Sequence, residues 1–184
     1  LARDASHYRL TIPSGGADSY RVAQLDDYNL LARRRFPHRF GLTLSLSART
    51  SSDSLPGTWG FGLWNDPFGL SLGFGGKPFR LPALPNAVWF FGASEENYLS
   101  FRTIGQEDPA PTNGFMAQTF RSPKFHSLLF PAGLALPFSR KTTRRLLGRV
   151  IAEDGIELSR GDACIAPTDW HTYRLEWSPK RVLF

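Results

Sequence analysis

The sequence predicts an all-β fold, a two-sheet antiparallel β-sandwich, and three observations carry that expectation. Short stretches alternate apolar and polar residues with period two, and clusters of Gly and Pro separate them at close intervals. Aromatic residues are abundant at 14%, with 15 Phe and 5 Trp, which supplies the bulk a sandwich core needs. Hydrophobic residues at 41% against 21% charged exclude a disordered chain. No apolar run approaches the ~20 residues of a membrane-spanning helix, so no membrane span is expected. At 184 residues, the chain is long enough to bury an adequate core as one β-sandwich domain over 1–184.

The strands follow in order. Tyr8, Leu10 and Ile12 alternate with Arg9 and Thr11, and Tyr20, Val22 and Gln24 begin a second strand. Leu42, Leu44, Leu46 and Ala48 alternate with Thr43, Ser45, Ser47 and Arg49, the cleanest half-buried pattern in the chain. In 58–64, Trp59, Phe61 and Leu63 share one face, while Gly60, Gly62 and Trp64 share the other. Two glycines on one strand face weaken it unless something approaches closely there. Residues 87–93 are uniformly apolar, as a central strand buried on both faces requires. Stretches 98–103, 115–121 and 171–177 bring the set to about nine strands. Turns are marked by Ser14-Gly15-Gly16, Leu55-Pro56-Gly57 and the Gly/Pro stretches 73–78, 81–85 and 109–114.

One segment breaks the β pattern. Leu146, Leu147, Val150 and Ile151 fall at helical spacing, with Ser139 placed to cap and Gly155 to stop, so a helical insertion is expected over 139–153. At the other end, 174–177, a turn at Ser178-Pro179-Lys180, and 181–184 read as a hairpin cut within its second strand. Further residues are therefore expected past Phe184.

Two motifs resemble the concanavalin A-like lectin/glucanase superfamily, most closely its family 16 glycoside hydrolase branch. The first is Trp170-His171-Thr172-Tyr173-Arg174-Leu175-Glu176-Trp177-Ser178-Pro179 with Arg181-Val182-Leu183-Phe184. It is similar to a Trp/Phe-His-x-Tyr-x-x-Glu-Trp-Thr/Ser-Pro stretch of those enzymes. The second is Gly57-Thr58-Trp59-Gly60-Phe61-Gly62-Leu63-Trp64, which looks like their tryptophan-rich strand on the concave sheet. Together the motifs span residues 57 to 184. Asn65-Asp66-Pro67-Phe68-Gly69 and Gln24-Leu25-Asp26-Asp27-Tyr28 also resemble stretches of uncharacterised bacterial members. The resemblance implies a curved jelly roll with a polysaccharide groove on its concave face. It also implies two glutamates on one strand, acting as nucleophile and acid/base.

The chain departs from that pattern at the acids. Residues 87–93, the strand expected to carry them, hold none, and Glu95 and Glu96 are adjacent and so point to opposite faces. The only local imitation is Glu153-Asp154-Gly155-Ile156-Glu157, read here as a helix terminus. The expectation is thus a non-catalytic, carbohydrate-binding member of the superfamily. A hydrolase with relocated carboxylates and an interaction domain docking through its basic helix are the alternatives.

The groove candidates are Trp64, Asn65, Asp66, Asp27, Trp89 and His171. Trp64 is the leading sugar-stacking residue because it shares a face with two glycines, whereas Trp59 and Trp89 are expected in the core. Asp26, Asp27, Asn65 and Asp66 suit hydrogen bonds to hydroxyls, although turn initiation at Asp26-Asp27 and Asp66-Pro67 is the favoured explanation. The same acids could hold a structural Ca²⁺; no other cofactor is implied. Asp27 and Asp66 would form a displaced acid/base pair only if one pocket held both. His171, inside an alternating strand, fits a structural role as well as a groove. Two basic runs, 33–39 and 140–149, hold nine Lys and Arg, more than the net charge of +6. Neither carries a nucleic-acid motif, so a saccharide and not a nucleic acid is the expected partner. The oligomeric state is open. The first residues show no signal-peptide pattern, and the single Cys164 fits either the cytoplasm or an exported protein.

Overall fold

A computed structural model describes residues 7–16, 21–28, 31–67, 83–95, 97, 113–123, 147–159 and 164–184. The described residues are mostly β, in two antiparallel sheets with almost no helix. The chain divides into two compact units, Leu1–Pro37 with Phe68–Pro82, and His38–Pro67 with Ala83–Phe184.

In the first unit the described residues are extended or turned, with one 3-10 turn at Arg33–Arg35. Neither N-terminal strand predicted from alternation forms among them: residues 7–16 and 21–26 make no ladder. Tyr8, Leu10 and Ile12 are exposed, at 64%, 59% and 51%. Alternation encodes a strand only where an edge is available to pair with it, and here Pro13 and two glycines follow at once. Local order comes from side chains instead. Arg21 donates to the carbonyls of Pro13 and Gly16, and buried Tyr28 stacks on Phe36 at 4.7 Å.

The second unit is the sandwich. A three-stranded sheet has the order β1 (Leu42–Ala48), β6 (His171–Trp177) and β7 (Val182–Leu183). A four-stranded sheet runs β2 (Thr58–Trp64), β3 (Ala87–Ala93), β4 (Gly114–Arg121) and β5 (Ala152–Glu157). The alternation in β1 works as expected: Leu44 and Leu46 face inward and are paired across the ladder with Leu175 and Tyr173. Tyr173 and Leu175 then meet Val88, Phe90, Phe115 and Ala117 of the larger sheet, closing the core between the sheets. Phe61, Phe90 and Phe115 all lie within 5.7 Å of the Tyr173 ring, and Trp59 stacks on Phe115 at 4.7 Å. Burial pushes the Tyr173 phenol above its ordinary range, because ionising it there would strand a charge among rings. The β6–β7 hairpin forms at the predicted turn, where the Ser178 backbone N–H and hydroxyl both donate to the Arg181 carbonyl.

The helical expectation needs correction. A helical turn covers residues 147–150, with Ile151 N–H donating to the Leu147 carbonyl at 2.8 Å, but the chain enters β5 at Ala152. Gly155 is therefore mid-strand and stops nothing. Residues 139–146, which hold the basic run with Arg144 and Arg145, lie outside the described residues, as does the strand expected at 98–103. No helix among the described residues is long and apolar enough to cross a membrane.

Candidate functional site

Alternation along β2 to β5 gives the four-stranded sheet a second face, turned away from its partner sheet. The ladders set its rows: Trp64, Ala87, Phe120 and Glu153; then Gly62, Trp89, Gln118 and Gly155; then Gly60, Phe91, Met116 and Glu157. The aromatic side chains form one array. Trp89 stacks on Phe91 at 4.4 Å and 24°, meets Trp64 at 5.9 Å and 46°, and takes the Phe120 ring edge-on at 5.7 Å. Trp89 thus belongs to this outward face, while Trp59 alone of the two takes the expected place between the sheets.

Gly60 and Gly62 are exposed beside the array. Both have φ +155°, and a Cβ at Gly62 would lie 2.5 Å from the Trp89 Cα and Cβ. One at Gly60 would run into the Phe90 carbonyl and the Phe91 side chain. The glycines are there because the β3 backbone and its aromatic side chains crowd β2, and they keep the strand surface low beside Trp64.

The polar residues of this face come from β4 and β5, and sequence reasoning missed them. Gln118, with no exposure, donates from Nε2 to Glu153 Oε1 at 2.8 Å. Its Oε1 accepts from the Trp89 indole N–H at 3.4 Å. Glu157, two residues beyond Gly155, accepts from the Ser159 hydroxyl at 3.0 Å, which in turn accepts from the Phe115 N–H. Glu153 and Glu157 therefore share one strand face, correcting the reading of 153–157 as a helix terminus. The missed signal was the period-two spacing Glu153, Gly155, Glu157.

The other candidates divide. Asn65 donates to the Leu84 carbonyl and accepts from the Asn86 N–H, both at 2.9 Å. Asn86 accepts in turn from the Ser122 N–H, so this chain of amides fastens the adjoining ends of β2, β3 and β4. Asp66, next along, is buried and holds a left-handed φ of 44°. His171 stands on the other sheet, at the end of the inward row that contains Tyr173, and its Nε2 bonds the Ala166 carbonyl at 3.0 Å. It does not join Trp64 and Trp89. Asp27 belongs to the N-terminal unit, where it is exposed beside Tyr28. Among the described residues, no three His, Cys, Asp or Glu come together to hold a metal ion.

No family model matches this chain. No curated protein and no solved structure matches it either. A functional reading therefore rests on the geometry of this face and on the two motifs in the sequence.

Proposed function

We propose that the chain is a non-catalytic, concanavalin A-like jelly roll that binds a poly- or oligosaccharide on the outward face of its four-stranded sheet. One observation carries the reading: Trp64, Trp89 and Phe91 form a continuous aromatic array beside two exposed glycines. Pyranose rings present C–H faces that pack on such rings, and the low strand next to Trp64 leaves room for them. Glu157, in the row of Phe91 and Met116, is the group suited to accept from sugar hydroxyls.

Affinity electrophoresis against a panel of soluble polysaccharides tests this. At least one glycan should retard the protein, and Trp64→Ala should weaken that retention about fivefold, since one aromatic contact is worth on the order of 1 kcal/mol. No retardation by any glycan, or retention unchanged in Trp64→Ala, overturns the proposal.

The alignment of Glu153 and Glu157 on one strand face favours a second reading, a glycoside hydrolase with relocated carboxylates. Four residues of strand separate their Cα atoms by about 13 Å, so the two side chains would have to lean together to reach the separation of about 5–9.5 Å at which paired glycosidase carboxyls work. Each carboxylate also accepts a bond from a different neighbour, Gln118 or Ser159, which draws the two apart in function. Binding is therefore the better-supported reading. Reducing-sugar release that disappears in Glu157→Gln would reverse that order.

A further inference from the structure

We infer that Glu153 is a positioning residue for the aromatic face, holding the Trp89 indole in place through Gln118. The consequence for ligand rests on the carbohydrate-binding reading; the relay itself rests on three side chains from three adjacent strands.

A carboxylate only accepts hydrogen bonds, whereas a carboxamide has a donor end and an acceptor end. Glu153, 5% exposed, accepts from Gln118 Nε2 at 2.8 Å and so selects one of the two amide orientations. In that orientation Oε1 is the end turned to Trp89, whose indole can only donate. A flipped amide would set oxygen against carboxylate and N–H against N–H, at a residue of zero exposure. Gln118 is pressed across the middle of β5, where a Cβ at Gly155 would lie 3.0 Å from its Cγ. That contact explains a glycine between two glutamates. Phe91 and Phe120 fix the plane of the Trp89 ring, and the indole N–H bond fixes which edge points down into the sheet. The exposed outline offered to a ligand follows from that choice. Glu153 thereby shapes the surface from beneath it.

The test reads the tryptophans directly. In the folded protein, with far-UV dichroism unchanged, Glu153→Leu should alter the near-UV dichroism and emission of tryptophan. Glu153→Gln, which keeps an acceptor oxygen, should restore most of the signal. The Glu153→Leu change should vanish in a Trp89→Phe background, because Trp89 is its reporter. An unaltered spectrum in Glu153→Leu, or the same alteration without Trp89, overturns the inference. Should Glu153→Leu fail to fold, indole N–H exchange in the unmodified protein decides. The Trp89 signal, assigned by its loss in Trp89→Phe, should exchange at least tenfold more slowly than that of exposed Trp170. Equal rates overturn the relay. Retention on whichever glycan binds should fall in Glu153→Leu, by up to about fivefold. If the spectra behave as stated and no glycan binds, the functional proposal fails while the relay stands. If glycans bind and the spectra do not change, the relay alone fails.

Discussion

On the three-stranded sheet, the outward face carries exposed Thr43, Ser45, Ser47, Thr172 and Arg174, with Glu176 half-buried. Ser47 and Thr172 hydroxyls meet at 2.9 Å, and Arg174 pairs with Glu176 at 2.6 Å. On the four-stranded sheet the outward face instead carries Trp64, Trp89, Phe91, Met116, Gln118, Phe120 and Glu153, with Met116 and Gln118 at zero exposure. An antiparallel sheet needs only one dry face to fold. The first sheet obeys that economy. The second has an additional apolar cluster, Ala87, Phe120 and Ile151 with Trp64, Trp89 and Leu147, on the side its partner does not touch.

The largest effect expected from that contrast is on stability. Phe115, 2% exposed between the sheets, and Phe120, 5% exposed on the outward face, lie five residues apart on β4 and face opposite ways. If the outward cluster is a second core, Phe120→Ala should cost about as much as Phe115→Ala, on the order of 3–5 kcal/mol each in urea unfolding. A loss below ~1 kcal/mol for Phe120→Ala would reduce the outward face to a decorated surface.

A smaller effect separates the two outward faces by one substitution made on each. Gly62→Ala puts a methyl onto the Trp89 backbone at φ +155° and should destabilise by about 1–3 kcal/mol. Ser45→Ala on the wet face should stay within about 0.5 kcal/mol. Equal losses would mean that β2 can move off β3, and that the glycines do not hold the aromatic array down.

The same contrast explains what the sequence made legible. In β1, one wet and one dry face produce Leu-Thr-Leu-Ser-Leu-Ser, and its register against β6 follows. In β3, two dry faces produce an unbroken apolar run, so the strand is legible although the facing of Trp89 is not. In β5 the code is inverted: Glu153 is buried and Ile156 is 62% exposed. A buried acid is tolerable there because Gln118, 35 residues away in sequence, supplies its donor, and no local window contains that partner. Helical spacing at Leu147, Val150 and Ile151 then carried the expectation of helix three residues too far, into the start of β5. Trp64 could be singled out because Gly60 and Gly62 share its face. Its polar neighbours could not, since their placement depends on ladders between distant segments.

The smallest effect is silent at neutral pH and concerns the face both sheets share. Tyr173 places a phenol among Phe61, Phe90 and Phe115, and burial raises its pKa from the ordinary 10.0. The unfolded chain therefore loses this proton at lower pH than the folded chain does. Stability linked to Tyr173 is complete below pH 10.0 and drains away as pH rises towards and through the folded value. Between pH 9 and 11 the urea midpoint of the unmodified protein should fall more steeply than that of Tyr173→Phe. Parallel slopes would mean that water reaches the phenol, and that the seam between the sheets opens at the His171 end of β6.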